Sequence, residues 1–290
     1  MDNIFSDISI NEWYLFAFFF LSIVLLIFLS ELAQKKNIWQ NHINRKIIHI
    51  AVGIAVSLTP HIFNSSLMPS TLALIFLIIN LYSYNNNTLN SFHLIGRDSY
   101  GTIFFPLSYL LLAGLFWDYS NHITASFLIL AIADPIASII GSNNKKNKSY
   151  NVLGDKKSLV GSTAMFLCSA IIISLLSQLI FTHLSPGFKL IAILSTSLTI
   201  TIAEGLSYKG SDNLTIPITA FLFIELFNHL NKINFVIEFL FIITIIVLLL
   251  FMFYIKKHLS ISGFIGATLM AALLFGFGGY SYIYPIVVFL

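Results

Sequence analysis

Five short stretches of this 290-residue sequence carry side chains that could do chemistry. Asp134 lies within 131–141, a run otherwise made of apolar and small residues, and Pro135 follows it at once. A proline inside a helix removes a backbone hydrogen bond, and a freed carbonyl beside a carboxylate suits a hard cation. The competing role is a structural Asp paired with a neighbouring Lys or Arg. Residues 154–162 read Gly-Asp-Lys-Lys-Ser-Leu-Val-Gly-Ser. Here Lys156 and Lys157 precede Ser158, Gly161 and Ser162 at the mouth of a helix, where N–H groups and lysines suit phosphate. The G-x-x-x-x-G-K-[ST] phosphate loop is absent. Glu204 closes one apolar run and Asp212-Asn213 open the next. These could share a metal or hold a ribose, and Asp212 or Asn213 could equally be a plain helix cap. Arg45 and His49 are four residues apart and share a helix face with Lys46 beside them. Arginine suits bidentate phosphate binding, although Arg45 and Lys46 would also serve as interfacial anchors. Arg97, in the Gly-Arg-Asp-Ser-Tyr-Gly-Thr stretch that opens 96–106, is the fifth element.

Carboxylates, cations and Gly-rich turns together are what phosphoryl transfer needs: acids hold Mg²⁺, cations neutralise phosphate, and the rest is positioning. The expected metal ligands are therefore Asp134, Glu204 and Asp212, with Asp134, His49 and Glu204 as catalytic candidates. Arg45, Lys46, Arg97, Lys156, Lys157, Ser158, Gly161, Ser162 and Asn213 are the candidate nucleotide and phosphate contacts. Nothing in the spacing says which group deprotonates the acceptor. Glu225, Asn228 and His229 fall on the other half of the chain's membrane profile and read as interfacial polar residues. Lys145, Lys146 and Lys148 read as ordinary orienting charge.

The elements that must position these residues follow from composition. Of the residues, 57% are hydrophobic and only 9% charged, against about 25% charged in a soluble domain. A soluble fold of this size could not hide that much apolar surface. The single cysteine, Cys168, excludes an intrachain disulfide and a Cys-based metal site. The expected class is an all-α polytopic bundle. Apolar runs place spans at about 13–30, 47–63, 69–84, 103–117, 122–140, 159–182, 188–204, 215–230, 234–254 and 262–280. All 15 basic residues except Lys189 and Lys232 fall in alternate loops. The positive-inside rule then sets the N-terminus outside and the candidate site on the cytoplasmic face. An intramembrane acid is functional by default, and a transporter would place its polar groups nearer the midplane.

At these residues the sequence resembles the polyprenol kinase family, which includes dolichol, phytol and farnesol kinases and a CTP-dependent diacylglycerol kinase. The family is distantly related to phosphatidate cytidylyltransferases. The resembling segments run in order over about 40–230: Arg45-Lys46 with His49, Arg97 with Ser99 and Phe105-Pro106, Ala133-Asp134-Pro135, Lys157-Ser158 with Gly161-Ser162, and Glu204 with Asp212-Asn213 through Pro217. The likeness is strongest to the phytol kinase branch. It implies a Mg²⁺-dependent kinase that takes CTP and a long-chain isoprenoid alcohol at a membrane, with no nucleic-acid partner. One departure is Val160, where many relatives carry an acid; its role is then absent or taken by Asp155. The kinase domain is expected over 1–256. Residues 257–290, a Gly-rich apolar segment, resemble the opening of a phytyl-phosphate kinase-type membrane domain; this is either the truncated start of a fused or partner domain or only a Gly-rich transmembrane pattern. A lipid nucleotidyltransferase and a transporter or scaffold are the competing classes.

Overall fold

The computed structural model describes residues 10–36, 41–86, 99–142, 149–152, 155–233 and 260–278, with the single positions 244, 247, 255 and 282. The architecture is the all-α polytopic bundle expected from composition. Its described helices are α1 (Ile10–Lys35), α2 (Asn41–Ile62), α3 (Leu67–Asn86), α4 (Gly101–Phe116), α5 (Ser120–Leu128), α6 (Asp134–Ser142), α7 (Leu159–Ile180), α8 (Pro186–Leu206), α9 (Asp212–Ile233) and α10 (Ile261–Gly278). Among the described residues five segments are long and apolar enough to cross a membrane: Ile10–Lys35, Leu67–Asn86, Ser120–Ser142, Leu159–Ile180 and Pro186–Leu206. Helices also stand at the expected second, fourth and eighth spans. The expected ninth span, apart from Thr244 and Val247, lies outside the described residues, as do Arg97 and Lys145, Lys146 and Lys148.

Two local features depart from the sequence reading. The polar stretch after α6, expected as a loop, contains an antiparallel pair of strands, β1 (Ser149–Val152) and β2 (Asp155–Ser158), in which Tyr150 pairs with Lys157. This hairpin delivers Lys157 and ends at Ser158, the cap of α7. The second departure lies in the fifth span. There a π-helical turn, Ile129–Ala133, joins α5 to α6 just before Asp134. In π register a carbonyl bonds the N–H five residues on. The partner of the Leu130 carbonyl would be residue 135, a proline with no N–H.

The core forms where apolar side chains of α4, α5, α7, α8 and α9 meet, with Phe127, Met165, Ile173, Ile200 and Ile216 fully buried. The 120–142 segment is the most enclosed of the five long apolar helices, and α1 the least. A smaller cluster of Phe19, Ile23, Phe63, Met68 and Leu72 ties α1 to α2 and α3. Polar bonds pin α1 at both ends. Buried Glu12 accepts from the Asn64 N–H at 2.9 Å, and Asn44 donates to the Ser30 carbonyl at 3.1 Å. α10 rests on α9 through Leu273 and Phe277 against Phe223 and Leu226.

Candidate active site

One cavity of about 1090 Å³ collects most of the candidate residues. Its mouth is lined by Arg45, Lys46, His49, Asp134, Lys156, Lys157, Ser158, Gly161, Ser162, Glu204, Asp212 and Asn213. These come from six elements, so only the fold brings them together. Arg97 lies outside the described residues. Below the mouth the same cavity continues between α1, α2, α3 and α4 as an apolar slot.

The α2 wall shows how local sequence builds both halves. Arg45, His49, Val52, Val56 and Thr59 recur at three- and four-residue spacing, so one helix face carries the cation at the mouth and apolar side chains below it. His49 Nε2 lies 2.9 Å from the Leu130 carbonyl, the group that the π turn and Pro135 leave without a helical partner. A carbonyl only accepts, so Nε2 carries the hydrogen and the ring's lone pair is on Nδ1. Asp134 Oδ2 stands 3.9 Å from the same Nε2, beyond hydrogen-bond reach.

Opposite, β2 delivers Lys157 between two acids. Its ammonium donates to Glu204 Oε1 and lies 3.8 Å from Asp212 Oδ2. Burial works against the charged lysine, but the Glu204 and Asp212 carboxylates outweigh it and hold its pKa above the ordinary lysine value. Lys157 therefore remains a cation across the physiological range. Ser158 caps α7, accepting the Gly161 N–H at 3.1 Å, while its hydroxyl donates to the Gly141 carbonyl at 3.3 Å. α6 and α7 touch here so closely that a Cβ on Gly161 would stand 3.1 Å from the Ala137 carbonyl oxygen and 3.4 Å from the Gly141 Cα. Ser158 and Gly161 thus fix the angle at which α6 presents Asp134 to the hairpin. Ser162 bonds the Tyr150 hydroxyl at 2.8 Å.

The turn between α8 and α9 locks the mouth. Lys209 adopts φ +48° and Gly210 φ +85°. The strain at Lys209, of order 1–2 kcal/mol for a non-glycine residue, is offset by two bonds. Its N–H donates to Asp155 Oδ2 and its carbonyl accepts from the Tyr100 N–H, both at 2.8 Å. A Cβ on Gly210 would stand 2.5 Å from the Gly101 nitrogen. Asp155 therefore holds β2 to this turn. Asn213 Oδ1 is buried without a hydrogen-bond partner.

The residues that the sequence reading missed are connective. Tyr150, Lys209 and Gly210 join the hairpin, the α8–α9 turn and the start of α4. Tyr150 is the only aromatic residue in 141–158, and that isolation in a Lys- and Asn-rich stretch was the available signal.

The donor set is compatible with Mg²⁺. Among the described residues no three His, Cys, Asp or Glu side chains form a preformed metal cluster. Magnesium needs none, because it is held by one or two carboxylates plus phosphate oxygens and water. Asp134, Glu204 and Asp212 line one cavity with the orphaned Asn213 oxygen, all hard oxygen donors.

Comparison with known proteins places these features in context. The chain is 30% identical over 195 residues to a phytol kinase of Synechocystis, a match covering 65% of this chain and 81% of that protein. It is 29% identical over 216 residues to phytol kinase 1 of Arabidopsis thaliana, covering 68% and 70% of the two chains. A third relative, probable phytol kinase 2 of Oryza sativa, is 27% identical over 224 residues, covering 69% and 71%. No protein-family model matches the chain, and no solved structure does.

Proposed function

Because this chain belongs to the phytol kinase family of alcohol phosphotransferases, we propose that it phosphorylates a long-chain isoprenoid alcohol, phytol or a similar prenol, with CTP as donor. The observation that carries this reading is the single cavity with two chemistries: acids and cations at its mouth, and an apolar slot beneath. A lipid alcohol lies with its tail in the slot and its hydroxyl at the level of His49 and Asp134.

The alcohol oxygen attacks the γ-phosphorus, the bond to the β-phosphate oxygen breaks, and CDP leaves. The alcohol's proton passes to Nδ1 of His49, since Nε2 is committed to Leu130. Lys157 and Arg45 draw the phosphates into line, with Lys46 and Lys156 adding charge at the same mouth. Asp134, with Asp212 or Glu204, would hold Mg²⁺, which would supply charge neutralisation to the phosphates. Asn213 Oδ1 is an acceptor available to the nucleotide.

The basic loops give the orientation: N-terminus outside and the cavity mouth on the cytoplasmic face, the cytoplasmic membrane in a prokaryote. Residues 1–256 carry the kinase domain. The likeness of the 257–290 sequence supports a fused or partner kinase for the phosphorylated product.

The test uses membranes containing the full chain, Mg²⁺, and CTP or ATP labelled on the γ-phosphate, with phytol, geranylgeraniol, farnesol, dolichol and diacylglycerol. Label should move from CTP into an isoprenoid alcohol with release of CDP. Label reaching lipid only from α-labelled CTP would show a nucleotidyltransferase instead.

A further inference from the structure

We infer that Tyr109 and Thr59 form the floor of the alcohol tail's slot and limit the chain length of the substrate to about three or four isoprene units. The inference rests on the reading of the cavity as a lipid-alcohol site.

The slot has a top and a bottom on every wall. On α2 it runs from His49 to Thr59, on α4 from Thr102 to Tyr109, and on α3 from Asn80 to Pro69. Ten residues of α2 separate His49 from Thr59, an axial distance of about 15 Å. Three bonds of an extended chain advance about 3.3–3.6 Å, so the four main-chain bonds of an isoprene unit advance about 4.5 Å. The depth therefore takes three to four units, well short of a dolichol.

The floor is suited to an apolar chain end. The Thr59 hydroxyl donates to the Val56 carbonyl at 2.6 Å, so the Tyr109 hydroxyl, 2.5 Å away, must donate to Thr59. Both hydrogens are used, and neither seeks a partner in the slot. Tyr109 is held edge-on to Phe127 at 5.3 Å between ring centroids, and Phe127 is fully buried. Beyond the floor, Phe19 and Phe63 pack at 5.6 Å within the cluster that includes Met68. Among the described residues the cavity lining does not extend past Thr59 on α2 or Tyr109 on α4. Ala73, buried on α3, lines the lower half of the slot, where a larger side chain would shorten it.

The test measures kcat/KM with the full chain in membranes, γ-labelled CTP, and prenols of three, four, five, six and nine isoprene units. Wild type should prefer three or four units and fall at least about tenfold by six. Tyr109→Ala should move the optimum toward longer alcohols, and Tyr109→Phe, which keeps the ring, should leave it in place. Ala73→Leu should move the optimum the other way, and it carries the test if Tyr109→Ala does not fold. Equal use of the four- and nine-unit alcohols by wild type would overturn the floor assignment. So would an unchanged length profile in folded Ala73→Leu. Folded wild type that labels none of the prenols would instead overturn the reading of the cavity as an alcohol kinase site.

Discussion

Both ends of the bundle place a histidine near a carboxylate, and they use the pair in opposite ways. At the mouth of the cavity, His49 Nε2 stands 3.9 Å from Asp134, with cations and two further acids around the same space. At the other end, His122 Nε2 stands 3.2 Å from Glu225 Oε2 and 3.2 Å from the Asn228 amide. Asn228 also donates to the Ile180 carbonyl at 2.8 Å, while His61 and Thr124 bond each other at 3.0 Å. None of these second-end residues lines the cavity. There the polar groups are spent on one another and fasten α2, α5, α7 and α9 together. An ionisable residue in an apolar helix is therefore a marker of function only where it faces space that a substrate can enter. Its cost to the bilayer alone does not tell the two uses apart.

The comparison can be broken most decisively at Asp134. Asp134→Asn keeps the shape and removes the charge, and should lower kcat by about 10³-fold with little change in detergent melting temperature. A variant that keeps near-normal turnover would erase the distinction between the two ends. Lys157→Ala should fail on both counts. Turnover should fall by about 10²-fold or more, because a phosphate-binding cation is lost. Stability should drop by about 3–5 kcal/mol, because buried Glu204 loses its partner. Thermal melting alongside a single-turnover assay separates the two effects. Gly210→Ala comes next, combining a left-handed backbone with a clash at Gly101. It should cost about 1–3 kcal/mol and raise KM for the nucleotide more than it lowers kcat. The smallest effect belongs to the other end. Glu225→Gln should leave kcat/KM within about twofold while lowering stability by about 1 kcal/mol, the typical value of one hydrogen bond. A large kinetic loss there would show that the second cluster is more than a fastening.

The described helices and most of the mouth residues were legible because they rest on composition, charge and spacing that no tertiary contact alters. Asp134, Lys157, Glu204 and Asp212 stood out as charges inside or beside apolar runs, and the fold brings them to one cavity. The hairpin was not legible. Ser149–Val152 and Asp155–Ser158 show no apolar alternation, because their pairing serves to carry Lys157 inward rather than to bury a face. The part played by Ser158 was legible only as chemistry. Its bonds to Gly161 and Gly141 depend on α6 and α7 crossing, which one-dimensional spacing does not contain. The His122–Glu225 pair was hidden for the same reason: 103 positions separate its members.

The turn at Ile129–Ala133 has a consequence for how such a chain can change over generations. A π turn is an α-helix with one residue too many, and each residue of a helix turns the chain by about 100°. The extra position is what lets residues before it point into the core while Asp134 points into the cavity. If the turn relaxed into regular α-helix with every residue kept, Asp134, Ala137 and Gly141 would swing together to another azimuth, whereas losing one residue along with the turn would leave them in place. The turn is therefore the element of this helix that can absorb a change of one residue, while the halves on either side accept substitutions independently.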